Sequence, residues 1–312
     1  MNRKISLMIY RWEIRLTHII LIFVCIIALL PIGATLLVSF KEKADILKNP
    51  PVLFPCDTAE KTFDLRACRW TWEGYQRVAI PEPAEESIFG FKITGNMFTR
   101  YIPNSILYAV STGLLVVLLS SMAGFAFSRF KFKGDNALLI AIMAVTGVPY
   151  MVNVMGLYQL GITMRKTLPF YDDRLYLILV YLGFFVPMSV WIAKGFFDAI
   201  PRELEEAAII DGMSRIGSLF RITIPLAMPG MMSIFLLTFV GVWNEFIVSY
   251  LLVSKNELKT VMFGLYDFLS GNVINYQVIA AACLVIALPT IILFVFTSKT
   301  FFKAMVEGAI KG

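Results

Sequence analysis

Six apolar segments, each about as long as a bilayer is thick, constrain this chain more than any other feature. They cover residues 16–39, 104–127, 137–158, 174–197, 229–253 and 276–298. Crossing a hydrocarbon core of ~30 Å takes ~20 residues of helix. In lipid, backbone amides must be satisfied within the segment, and none of these runs alternates apolar and polar residues as a barrel strand would, so each predicts a helix. Composition agrees: 58% of residues are hydrophobic and 16% charged, against about 25% charged in a soluble domain. The expected fold class is an all-α polytopic membrane protein with six transmembrane helices.

Basic residues near helix ends set the orientation, because positive loops stay cytoplasmic. Arg3, Lys4, Arg11 and Arg15 precede the first helix. Arg129, Lys131 and Lys133 follow the second, Lys194 lies near the end of the fourth, Arg202, Arg215 and Arg221 lie between the fourth and fifth, and Lys299, Lys303 and Lys311 end the chain. The two short loops on the opposite side hold only Arg165, Lys166, Arg174, Lys255 and Lys259. Both termini are therefore expected inside. The first apolar run is longer than the about 7–15 residues of a signal-peptide core and lacks a small-x-small exit, so it is expected to remain as a membrane helix. The net charge of +6 is accounted for by topology, and nucleic-acid binding is not expected. Arg129-Phe130-Lys131-Phe132-Lys133 reads as a topology anchor lying against membrane lipid.

Between the fourth and fifth segments lies a polar island, Pro201 to Pro225. Residues 203–211 predict a short helix, with Glu203, Glu205 and Glu206 near its positive N-terminal end and a smooth, close-packing face at Ala207 and Ala208. Asp211 closes it, Gly212 turns the chain without a Cβ penalty, and Pro225 and Pro229 restart it as a membrane helix. Such a helix reads as a docking element for a shallow protein groove. Glu206-Ala207-Ala208, three residues, Gly212, nine residues and then Ile222-Thr223-Ile224-Pro225 resembles the EAA-G-I-x-LP signature of ABC importer permeases, with Ile224 in the usual Leu place.

Other motifs extend the resemblance in the family's order. Asn104-Ser105-Ile106 through Phe130 is similar to the second helix of carbohydrate-importer permeases, Trp243-Asn244-Glu245-Phe246 to their WNEF element, and Gly308-Ala309-Ile310-Lys311-Gly312 to the GAVKG ending of maltose-type (MalG-like) subunits. The matches span 104–312; the outer loop before them departs from the family. The resemblance implies an ABC type I importer permease in a bacterial inner membrane, N-in and C-in. It implies a second homologous permease subunit, two ATPase subunits carrying ATP and Mg, and an external solute-binding protein delivering a carbohydrate. This sequence has no GxxxxGK[ST] loop, so no cofactor is expected on this chain and no catalytic centre. The expected plan is an N-terminus and first helix over 1–40, an external loop over 41–103 and a permease core over 104–312. That core contains the coupling loop 198–228 and a cytoplasmic tail 299–312, whose Gly308, Lys311 and Gly312 are expected, by resemblance, at the ATPase.

Polar residues at membrane depth face a cavity or a partner. Glu245, placed within a continuous fifth helix, is the clearest; Trp243 and Asn244 flank it, and aromatic faces with amides and carboxylates bind sugars. These residues either line the pathway or bond to neighbouring helices and the partner permease. Asn153 and Tyr158 are further pathway candidates, since Gly147 and Pro149 break the third helix just before them. Cys56 and Cys68, in a loop facing an oxidising compartment, are a candidate disulfide. His18, the only histidine, reads as interfacial packing, and no metal site is expected. Two other readings stay open: a permease for glycerol phosphate or a polyol, and a membrane-embedded glycosyl-transfer enzyme. The latter needs a carboxylate pair, and Asp172-Asp173 lacks the setting of a catalytic dyad.

Overall fold

Helix supplies almost all regular structure, as an apolar chain without water to satisfy its backbone requires. The computed structural model describes residues 2–47, 69–79, 87–88, 91–92, 97–269 and 275–310, with side chains described over 14–47, 69–79, 97–269 and 275–298. Among these, five helices are long and apolar enough to cross a membrane, and a bent helix pair makes a sixth span. Cys56 and Cys68 lie outside the described residues.

By internal packing the chain divides into two compact units. The first joins Met1–Gly95 to Asp267–Val285. It contains α1 (Asn2–Ser39), α2 (Lys43–Ile46), α3 (Glu73–Ala79) and a two-residue antiparallel pair, β1 (Ser87–Ile88) with β2 (Phe91–Lys92). No residue in the most apolar window of α1 is buried, so lipid or another membrane helix must cover it. Its last turn is fixed by the Phe40 ring, packed 4.9 Å from Trp72 and 5.1 Å from Tyr75, while the Ser39 and Tyr75 hydroxyls lie 2.9 Å apart.

The second unit joins Asn96–Tyr266 to Ile286–Gly312. A π-type turn at Met97–Tyr101 leads into α4 (Ile102–Arg129). Then come α5 (Asp135–Thr146), α6 (Tyr150–Thr167) and α7 (Asp173–Asp198), followed by α8 (Arg202–Ile210) and α9 (Arg215–Ser218). The rest is α10 (Ile224–Trp243), α11 (Ile247–Leu252), α12 (Val261–Leu269) and α13 (Tyr276–Ile310), the last two crossing the unit boundary. The core sits where α4, α7 and α10 meet, around Val116, Ala193, Phe197, Ala227 and Ile234. Gly124 lets α4 and α7 touch: a Cβ there would stand 2.7 Å from the Ala193 Cβ and from the Lys194 nitrogen.

Three expectations need correction. The third span is longer than 137–158, running from Asp135 to Thr167, and it breaks where expected: α5 and α6 meet at an 87° bend, where Gly147 ends α5 and Pro149, lacking an N–H, precedes the first residue of α6. The fifth span starts at Ile224 rather than Pro229, because Pro225 occupies the first turn, where its missing donor costs nothing, and Pro229 lies inside the helix. That span also stops at Trp243 and resumes at Ile247, so Glu245 lies in a break. Further along, α13 runs without interruption to Ile310.

Candidate functional site

The polar island folds as its chemistry dictates. α8 opens with Glu203 and Glu205 in its first turn, where carboxylates suit the positive end of the helix dipole. It closes in a Schellman motif: the Met213 N–H donates to the Ala208 carbonyl at 2.9 Å and the Gly212 N–H to the Ile209 carbonyl at 3.0 Å. That geometry needs a left-handed residue, and Gly212 supplies it at φ +88°. Ser214 then caps α9 by accepting from the Gly217 N–H.

The two faces of α8 differ sharply. Glu205 and Ala208, three residues apart, turn toward the bundle, Ala208 being buried. Glu203, Glu206, Ala207 and Ile210 are exposed, Ile210 at 85%. The expected common face for Ala207 and Ala208 is thus divided, because neighbours in a helix point about 100° apart. Beyond the turn, Ile216 and Phe220 add further exposed apolar surface. Pro225 sits in the first turn of α10.

Beneath α8 lies a polar cluster that reading the sequence missed. Arg129 Nε donates to Glu205 Oε1 at 2.8 Å, its Nη1 to the Phe197 carbonyl at 2.9 Å and its Nη2 to the Ile200 carbonyl at 3.1 Å. Thr223 donates to the same Glu205 oxygen at 3.0 Å. Ser128 donates to Asp198 at 2.6 Å, and Asp198 also accepts from Lys194. The available signal was the i, i+3 relation of Glu205 to Ala208, which sets it apart from the neighbouring glutamates.

Within the membrane a cleft of about 1120 Å³ opens between α5, α6, α7 and the break after α10. Its polar lining is Thr146, Tyr150, Asn153, Tyr176, Tyr181, Asn244 and Glu245, and none of the described lining residues is Lys or Arg. Tyr158 and Trp243 do not line it. Trp243 is 1% exposed, stacked on Phe239 with its indole N–H donated to the Ile286 carbonyl at 3.2 Å; its bulk drives it into the core and its one donor is used there. Glu245 is half-buried and engaged. Its Oε1 accepts from the Val248 N–H at 2.7 Å, and its Oε2 from the Ser249 N–H at 3.1 Å and the Tyr181 hydroxyl at 2.9 Å. The carboxylate therefore caps α11, offering its charge to amides that a helix start leaves unpaired.

The remaining candidates resolve simply. Asp172 caps α7, and Asp173 pairs with Arg165 at 2.7 Å, so the adjacent carboxylates have separate structural partners. Gly308 lies in α13, while Lys311 and Gly312 fall outside the described residues. His18 Nδ1 lies 2.6 Å from the Ile14 carbonyl on its own helix.

Residues 116–303 match the family of binding-protein-dependent transport system inner membrane components, a stretch that includes α8, the cleft and the Glu245 break. The chain belongs to that family. The permease is 30% identical, over 92% of its length and 92% of the relative's, to the inner membrane ABC transporter permease protein YcjP of Escherichia coli (strain K12). It is 29% identical, over 93% of its length and 94% of the relative's, to the trehalose/maltose transport system permease protein MalG of Thermococcus litoralis. Its fold matches, with a TM-score of 0.66 and 19% identity, a chain from a bacterial ABC transporter involved in the import of the acidic polysaccharide alginate, covering 93% of this chain and 97% of that one. The permease is accordingly a multi-pass protein of the inner membrane.

Proposed function

We propose that the permease is the membrane subunit of an ATP-driven importer of sugars or oligosaccharides, and that α8 is the element on which the ATPase acts. In this reading it pairs with a second, homologous permease subunit, and an external solute-binding protein delivers the carbohydrate. Two cytoplasmic ATPase subunits hold ATP and Mg and hydrolyse the nucleotide. Both termini and α8 face the cytoplasm. Closure of the ATPase pair moves α8 and tilts the bundle between outward-open and inward-open states.

The observation that carries the reading is the outer face of α8, which presents Glu203, Glu206, Ala207 and Ile210 on a helix only nine residues long. Two carboxylates around a small and an apolar side chain suit a basic-rimmed apolar groove. The Schellman turn at Asp211 and Gly212 gives that face a fixed end. For the substrate, the cleft supports a neutral polyhydroxy ligand over a phosphorylated one. Its polar lining is amide, phenol and one threonine hydroxyl, its one carboxylate is already bonded, and phosphate recognition calls for Arg or Lys.

Glu206→Lys tests the docking reading. The variant should insert normally, because the site lies outside the apolar spans, yet fail to retain the ATPase subunits on purification or to take up substrate. Wild-type retention and uptake in Glu206→Lys would overturn it. The ligand co-purifying with the cognate external binding protein tests the substrate class, and a phosphorylated ligand would overturn the sugar assignment.

A further inference from the structure

The cluster beneath α8 has a geometry that the outer docking face does not require. Arg129 ends α4, and its side chain is only 7% exposed. Its Nε reaches Glu205 on α8, its Nη1 reaches Ser128 Oγ at 3.0 Å and the Phe197 carbonyl, and its Nη2 reaches the Ile200 carbonyl. Phe197 lies in the last turn of α7 and Ile200 just beyond it, a helix end that leaves carbonyls without intrahelical donors and favours a cation. Glu205 Oε1 also accepts from Thr223, a wholly buried hydroxyl immediately before α10. One guanidinium and one carboxylate therefore join the ends of α4 and α7, the body of α8 and the start of α10. A second strand of the network ties Arg202 of α8 to the Ser128 carbonyl at 2.5 Å.

A largely buried ion pair is a poor source of stability, since desolvation offsets much of its attraction, but removing one partner strands the other. What it supplies is a fixed geometry. The planar guanidinium places its donors in directions that a lysine ammonium cannot reproduce, and here they point at three different elements. By contrast Glu203 and Glu206, on the exposed face, make no such link to the bundle among the described residues.

We propose that Arg129 and Glu205 are positioning residues that transmit movement of α8 to the membrane helices, making α4, α7, α8 and α10 move as one body. The proposal rests on the reading of α8 as the ATPase-contacting element. It divides that helix by function: the outer face receives the force, and Glu205 on the inner face passes it on. In a variant that keeps the outer face but loses the link, the ATPase still binds and turns over while the bundle follows incompletely.

The test is the ratio of solute taken up to ATP hydrolysed, measured on the assembled transporter in proteoliposomes with its loaded binding protein. Arg129→Lys and Glu205→Gln should each retain the ATPase subunits and hydrolyse ATP, while uptake per ATP falls about tenfold, within the range usual for coupling between sites. Thr223→Val, which removes one donor to Glu205 at nearly constant shape, should lower the ratio less. A merely structural role would reduce uptake and hydrolysis together; an unchanged ratio in Arg129→Lys and Glu205→Gln would therefore overturn the proposal. Should either variant fail to assemble, Thr223→Val decides, and an unchanged ratio there sinks the idea. Failure of the docking reading is seen separately, as normal ATPase retention and uptake in Glu206→Lys.

Discussion

The Tyr181 hydroxyl donates to Glu245 Oε2 at 2.9 Å across 64 positions of chain, tying the middle of α7 to the break between α10 and α11. With the Val248 and Ser249 amides on the same carboxylate, this bond makes Glu245 a structural cap as well as part of the cleft wall. Tyr181→Phe should lower stability by about 1.5–3 kcal/mol, the worth of a hydrogen bond to a charged group, and Glu245→Ala should lower it further by freeing two amides as well. Thermal unfolding of the purified complex in detergent measures both. Equal melting temperatures for wild type and Glu245→Ala would remove the capping role.

Trp243 and Asn153 should separate packing from substrate contact. Trp243→Ala truncates a buried core ring and should cost about 3–5 kcal/mol. Asn153→Ala, on the cleft wall, should leave the melting temperature almost unchanged and raise the substrate concentration needed for half-maximal uptake. Uptake assays beside melting curves check the pair, and an unaltered concentration dependence in Asn153→Ala would take that residue off the pathway.

Close approach of α4 and α7 gives a steric prediction. Gly124→Val puts a branched side chain where even a Cβ meets Ala193 and Lys194 at 2.7 Å, and overpacking of this kind costs about 1–3 kcal/mol. Lower yield and a lower melting temperature are expected. Ala193→Gly in the same chain should restore part of the loss, since it removes one of the two clashing partners.

Topology can be read by labelling. In a background without the native cysteines, Asp135→Cys and Arg215→Cys should be shielded from an impermeant thiol reagent in intact cells, and Lys255→Cys should react. Reaction of Asp135→Cys from outside would reverse the orientation. In the native chain, non-reducing peptide mapping should recover Cys56 joined to Cys68; both recovered as alkylated thiols would end that assignment.

The spans were legible because lipid leaves a helix no alternative, so apolar length alone locates them. Their irregularities were only half legible. Gly147 and Pro149 announced the bend between α5 and α6 through backbone chemistry, whereas the break at Glu245 contains no glycine or proline. It exists because a carboxylate satisfies the amides of the next helix, and that depends on where Tyr181 and Val248 come to lie. The same holds on α8. The i, i+3 relation to Ala208 sets Glu205 apart from Glu206, but nothing local names its partner, Arg129, 76 positions earlier. Trp243 was drawn toward the pathway by its company with Asn244 and Glu245, yet adjacent residues leave a helix in different directions, and its bulk chose the core.

The turn after α8 carries one more consequence. A Cβ at Gly212 would meet nothing within 4 Å, so volume is irrelevant there and handedness alone excludes a side chain. Every L-residue should be penalised by roughly the same 1–2 kcal/mol of left-handed backbone strain, alanine about as much as leucine, with asparagine least affected. A D-alanine introduced by chemical ligation should fit without strain, and it would stiffen the turn by removing freedom from the unfolded chain. The position is a chiral filter rather than a steric one.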